Sequence, residues 1–302
     1  MQISCSARKD AIYHIKDWID FERSHAKIHS NFQFDYDDID YAFGQVDGLT
    51  TLWGGRTATQ VSITRMDVYW LYDHGIGLKL TLSSKNFNDQ AYKESFDILK
   101  QYNIKGNAII TSSDEFAKRI KNDFPNYQTE ASAIQDIADN TKLEKKVGLG
   151  CYDTIVLPIK MNDDIKFLEN IKDKKQIRLF LNAECSYTCP KKICYGHISK
   201  INKGLPSSTN LVTGPLGAVT VTEKGLSTKE FQELVRGQCS FYDLKMPRTF
   251  YNDKINWSNF YFDKDKFDTM GFEKYKLVPS VEKQQRTHLM YKRNFDSYVG
   301  NQ

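Results

Sequence analysis

CYDTIVLPIKMNDDIKFLENIKDKKQIRLFLNAE, residues 151–184, holds one repeat of the pattern that decides the fold. Its opening, Cys151–Pro158, is an apolar and β-branched run bounded by polar residues, the signature of a buried strand. Asp163–Ile171 reads as a helix, and the apolar run Ile177–Leu181 as a second buried strand. Strand, short helix and strand make a βαβ unit, whose two strands run parallel in one sheet.

The same alternation continues on either side. Asn126–Ser132 is a weaker strand followed by a weaker helix, Ile134–Leu143. Asn107–Ser112 is a strand, and Ser113 stands where it can cap the next helix, with Asp114 and Glu115 favourable in the first turn. Phe87–Tyr102 reads as a helix burying Phe96, Ile98 and Leu99. Met66–His74 is a helix stopped by Gly75, and Gly75–Ser83 alternates as a strand. Near the other end, Phe267–Ser280 holds a short helix, a glycine turn and a last strand, YKLV. About six such units favour an α/β (β/α) barrel, complete or else incomplete and distorted, over an open doubly wound sheet. The expected organisation is one barrel-like domain over 1–302, with residues 201–230 as an irregular insertion or lid before the last strands. Within that insertion NLVTGPLGAVTVT suggests a hairpin turning at Gly214-Pro215.

Before the first unit the reading is looser. Asp10–Ser24 has helical spacing, and Phe32–Phe43 alternates aromatic with acidic residues as a strand or extended arm, its acids expected on a solvated face. Gly54 and Gly55 precede Arg56, an arrangement that either places a guanidinium beside a ligand anion or is simply a turn. The charged tail Glu282–Tyr298, with Arg286, His288, Lys292 and Arg293, reads as a solvated helix.

In a barrel the reactive groups lie at the C-terminal ends of the strands. That rule selects Ser83, Ser112, Glu130, Pro158, Asn182, Glu184 and Cys185. Directly after the strand Ile177–Leu181, Cys185, Cys189 and Cys194 crowd together, and Cys239 follows at a distance. The spacing C-x3-C-x4-C differs from the C-x2-C of a zinc ribbon and leaves the metal open. Cys151 reads as a half-buried structural thiol, and Cys5 lies in an N-terminus expected to be mobile, which makes it a weak ligand candidate. Six cysteines, with no apolar stretch after the first basic residues and none long enough to cross a bilayer, point to a reducing, cytoplasmic setting and no membrane. A net charge of +4 is too small to argue for nucleic acid by itself.

The cysteine pair with its following proline (Cys185, Cys189, Pro190), Cys239, the preceding Asn182-x-Glu184 and the closing Gly271–Lys276 resemble the collagenase-like peptidase superfamily over roughly Phe43–Ser280. That group includes RNA-hydroxylating proteins and oxygen-independent ubiquinone hydroxylation factors. Trp53–Arg56 is similar to a segment of uncharacterised relatives. The cysteines are more widely spaced than in the better-known hydroxylases, and Pro279 and Ser280 stand where those proteins often carry an arginine. The resemblance implies an iron–sulfur cluster, of the four-iron type, on Cys185, Cys189, Cys194 and Cys239. Zinc on the same thiolates, with His197 replacing one, is one alternative, and no metal at all, with Cys194 simply buried, is the other. It further implies a hydroxylase-type enzyme acting on a nucleic-acid base or a small aromatic molecule, with Arg56, Asn182 and Glu184 against substrate. The other reading is a non-catalytic, metal-braced module for a protein or RNA partner. Cysteine, histidine and acids are too scattered to form a peptidase triad, and no catalytic residue or electron donor is assigned.

Overall fold

The alternation closes on itself. A computed structural model describes residues 1–6, 34, 36–46, 52, 63–83, 89–183, 211–213, 219–221 and 260–278. Strands β1 (Gln2–Ser6), β2 (Ile39–Gly44), β3 (Gly77–Leu82), β4 (Ala108–Thr111), β5 (Gln128–Ala131), β6 (Thr154–Val156) and β7 (Ile177–Phe180) stand side by side and parallel, in chain order. Two short strands, β8 (Asn182–Ala183) and β11 (Phe260–Tyr261), pair antiparallel outside the barrel. So do β9 (Leu211–Thr213) and β10 (Val219–Val221), where the sequence suggests a hairpin; its turn and the rest of 201–230 lie outside the described residues. Strand β12 (Lys274–Lys276) then inserts between β7 and β1 and closes the barrel.

Helices α1 (Arg65–Asp73), α2 (Asp89–Gln101), α3 (Asp114–Asp123), α4 (Asn140–Gly148), α5 (Ile165–Glu169) and α6 (Lys264–Thr269) fill crossovers between strands. Their starts are chemically marked. Thr64 and Asp67 form a reciprocal capping box on α1, and Ser113 accepts from the Phe116 amide on α3. Asp139, Asp164 and Asp263 cap α4, α5 and α6 in the same manner. Gly75, at φ +69°, turns the chain out of α1 as the sequence suggests. Every residue of β4, β6 and β7 is buried, as expected when helices cover the outer face and side chains fill the inner one.

Several expectations need correction. In place of a mobile N-terminus, Gln2–Ser6 is β1, the strand that joins β12 to β2, and Cys5 is buried in the barrel wall. Its five residues are too short a run to register as an element without their neighbours. In place of a helix over Ile134–Leu143 there is a short 3-10 turn, Ala133–Gln135, and then α4, because Asp139 supplies a better helix start. Phe96 is 38% exposed; Tyr92 and Ser95 take the inward face of α2 beside Leu99. The expected helix Asp10–Ser24, the turn at Gly54-Gly55 and the tail helix Glu282–Tyr298 lie outside the described residues.

One glycine is required by packing. Gly77 stands opposite Tyr41 in the β2–β3 register, where a Cβ would collide with the Gly106 carbonyl and come within 2.9 Å of the Tyr41 ring. The missing side chain lets the Tyr41 ring lie across the barrel floor.

Candidate functional site

The barrel is lined by charge as well as by apolar side chains. Strand alternation turns Lys79 of β3, Glu130 of β5 and Arg178 of β7 inward, on alternate strands of the barrel. Lys79 Nζ donates to Glu130 Oε2 at 2.6 Å, with both side chains almost wholly buried. Arg178 Nε lies 3.1 Å from the same oxygen, and its Nη1 donates to the Tyr275 carbonyl at 2.7 Å. The register sets Lys274 of β12 beside Arg178, and Lys276 beside Phe180 and Ser4. Lys274 Nζ donates to Thr154 Oγ1 at 3.0 Å. Lys276 Nζ sits 4.3 Å from the centre of the Phe43 ring and 4.0 Å from Glu130 Oε1.

A bulge brings one more acid inside. Ile3 pairs with Ile39 but Ser4 pairs with Tyr41, so Asp40 is an extra residue in β2. Asp40 Oδ2 lies 3.6 Å from Arg178 Nη2, and the Tyr41 ring faces Lys79 Nζ at 4.1 Å. The Tyr41 hydroxyl donates to Gln128 Oε1 at 2.9 Å. For Asp40, the expectation of a solvated acidic face is therefore overturned; alternation alone cannot foresee a bulge that re-aims a side chain.

The ionisation of the group follows from burial and from its own charges. Burial works to raise the Glu130 carboxyl, but the Lys79, Arg178 and Lys276 cations overcome it and bring it down to about 2. Burial, then the Arg178 charge, pull the Lys79 amine down to about 7 against the opposing pull of Glu130. Lys276 and Lys274 are lowered as well, chiefly by burial. Asp40 is raised by burial, and Arg178 restrains the rise. Four basic side chains thus face two carboxylates, with burial holding the three lysine amines below their ordinary range. Burying ions in this number gains little stability over an apolar filling, so their presence points to use.

The hydrogen bonding inside the barrel is incomplete. Glu130 Oε1, Asp40 Oδ2, Ser4 Oγ, Thr81 Oγ1 and Arg178 Nε are buried without a hydrogen-bond partner. The Arg178 Nε–H does not point along its 3.1 Å approach to Glu130.

Of the sequence-derived site residues, Asn182 is described. It is fully buried, and its amide accepts from the Val278 N–H at 2.7 Å and donates to the Val278 carbonyl at 2.9 Å, tying the end of β7 to the chain after β12. Glu130 faces the barrel interior near the end of β5. Ser112 donates to the Ser83 carbonyl at 2.7 Å, joining two neighbouring strand ends. Arg56, Glu184, Cys185, Cys189, Cys194, His197 and Cys239 lie outside the described residues. Cys5 is a buried thiol of the barrel wall, and Cys151 a buried thiol in the chain just before β6. Among the described residues no group of three or more His, Cys, Asp or Glu could hold a metal, and no helix is long and apolar enough to cross a membrane.

Lys79, Arg178, Lys274 and Lys276 were not singled out by the sequence, yet each carries a signal. GLKLTL, IRLF and KYK each place a cation at an alternating position within a short strand that is otherwise largely buried. With both faces of the strand covered, such a cation must enter the barrel or pierce the helical layer.

No protein-family model matches the sequence, and comparison with curated proteins likewise finds no match. Among solved structures the chain is similar to the U32 peptidase Mk0906, with a TM-score of 0.51 and 7% identity, over 92% of this chain and 91% of that one. At that identity the likeness is one of fold. It agrees with the barrel expected from the resemblance to collagenase-like peptidases.

Proposed function

We propose that this chain is an iron–sulfur enzyme of the hydroxylase type, acting on a nucleic-acid base or a small aromatic molecule at the C-terminal mouth of its barrel. The observation that supports an enzymatic role is the ionised barrel centre: Lys79, Glu130 and Arg178 bonded together under Lys276, at a cost in stability that a purely structural barrel has no reason to bear. The thiolates of Cys185, Cys189, Cys194 and Cys239 would hold the cluster, which supplies electrons one at a time. In sequence they follow β7, and in barrels of this kind active groups gather after the C-terminal ends of strands. On this reading Arg56 and Glu184 face the substrate while Asn182, whose amide is taken up by Val278, braces the strand end behind them; residues 201–230 cover the mouth, and the protein works in a reducing, cytoplasmic compartment.

Anaerobic purification with metal analysis and a visible spectrum tests it. A brown protein with about four iron and four sulfide per chain is expected, and Cys185→Ala should strip both. A colourless protein with stoichiometric zinc would replace the proposal with a metal-braced binding module. Absence of any metal would refute both.

A further inference from the structure

We propose that the C-terminal side of the barrel centre binds a small oxyanion that carries a hydrogen-bond donor of its own, such as a 2-hydroxy carboxylate or hydrogen phosphate, held by Lys276, Ser4 and Glu130. The inference rests on the barrel mouth being the substrate site, and not on the cysteines or on any metal.

Two buried oxygens there, Glu130 Oε1 and Ser4 Oγ, lack hydrogen-bond partners, and the Lys276 amine stands beside them. Lys276 Nζ has no hydrogen-bond acceptor among the described residues; its nearest carboxylate oxygen, Glu130 Oε1, is 4.0 Å away, beyond hydrogen-bond reach. Glu130 Oε1 has no donor. Ser4 lies directly beside Lys276 in the β1–β12 register, hence on the same inner face, and its hydroxyl is also unpartnered. Glu130 and Ser4 are 1% and 0% exposed, so bulk water does not satisfy their oxygens. Buried polar atoms left unpaired each cost about 1–3 kcal/mol, a cost that a small ligand bonding both oxygens beside the Lys276 amine would relieve.

The chemistry of that group follows from what surrounds it. Four basic side chains, Lys79, Arg178, Lys274 and Lys276, stand against the two acids Glu130 and Asp40, so an anion is the ligand that suits them: its charge would hold protons on amines that burial otherwise disfavours. Glu130 Oε1 is an acceptor, so a bare carboxylate would meet it charge to charge, whereas a hydroxyl beside the charged oxygens donates to it. The Phe43 ring, against which the Lys276 ammonium rests, bounds the gap on one side. An eight-stranded barrel leaves space for side chains or one small ligand, which sets the size.

Calorimetric titration of the full chain at neutral pH with glycolate, inorganic phosphate and acetate tests the proposal. Glycolate or phosphate should bind at least about tenfold more tightly than acetate, which lacks a donor; that ratio is about 1.4 kcal/mol. Glycolate ahead of phosphate identifies a carboxylate substrate, and the reverse order a phosphate-bearing one. Lys276→Met should weaken the better ligand about tenfold or more. Ser4→Ala, which removes one unbonded oxygen and leaves the strand intact, should weaken it several-fold. Acetate binding as tightly as the others, no binding by any of the three, or full affinity in both variants would overturn the site. Iron content plays no part in these readings, so this site and the cluster can fail separately.

Discussion

Glu130→Gln removes the carboxylate that meets both Lys79 and Arg178 inside the barrel. At 2.6 and 3.1 Å the two attractions amount to about 5–6 kcal/mol each at an effective dielectric of about 20. Desolvation of each buried ion takes back several kcal/mol, and breaking such a pair from one side costs about 3–5 kcal/mol. The proton equilibrium leads to the same range. A carboxyl at about 2 in the folded chain, against an ordinary 4.5, contributes about 3 kcal/mol of stability at neutral pH. Because the folded value lies below the unfolded one, that contribution is complete above pH 4.5 and is lost as pH falls from 4.5 toward 2. Urea unfolding followed by circular dichroism, at neutral pH and in steps down to the onset of acid unfolding, reads both effects. The variant should lose about 3–5 kcal/mol at neutral pH and a large part of its acid dependence. Lys79→Met combined with Glu130→Gln should be less damaging than the sum of the two, by about 2 kcal/mol, since each single change strands a buried partner. A Glu130→Gln protein within about 0.5 kcal/mol of the parent, the range of an ordinary surface change, would refute the ionised centre.

Asn182→Ala should cost about 2–3 kcal/mol by thermal unfolding, because it leaves both backbone groups of Val278 without their partners. Gly77→Ala should cost about 3 kcal/mol, the upper range of overpacking, as its methyl meets the Gly106 carbonyl and the Tyr41 ring; an unchanged melting temperature would argue against that approach. Ser113→Ala should cost about 1 kcal/mol by urea unfolding, the usual loss for an N-cap. Deleting residues 1–6 removes the strand between β12 and β2, and the shortened chain should lose cooperative unfolding; a sharp transition at the parental temperature would show that the barrel does not need β1.

The sequence by itself determined the parallel barrel. Strand–helix alternation is written locally, in β-branched runs, caps such as Ser113 and stops such as Gly75, and repeated βαβ units admit few arrangements. What the tertiary structure decided is the content of the barrel. Gln2–Ser6 becomes a strand because Lys274–Lys276 and Ile39–Gly44 bond to it from both sides, and neither neighbour is visible in its five residues. Asp40 turns inward through a bulge that exists as a mismatch between two strands and not within either. Lys79, Glu130, Arg178 and Lys276 come from β3, β5, β7 and β12, and no one strand shows which charges of the others its own will meet. Closure brings them within reach of one another, and the low dielectric of the closed interior makes their charges count.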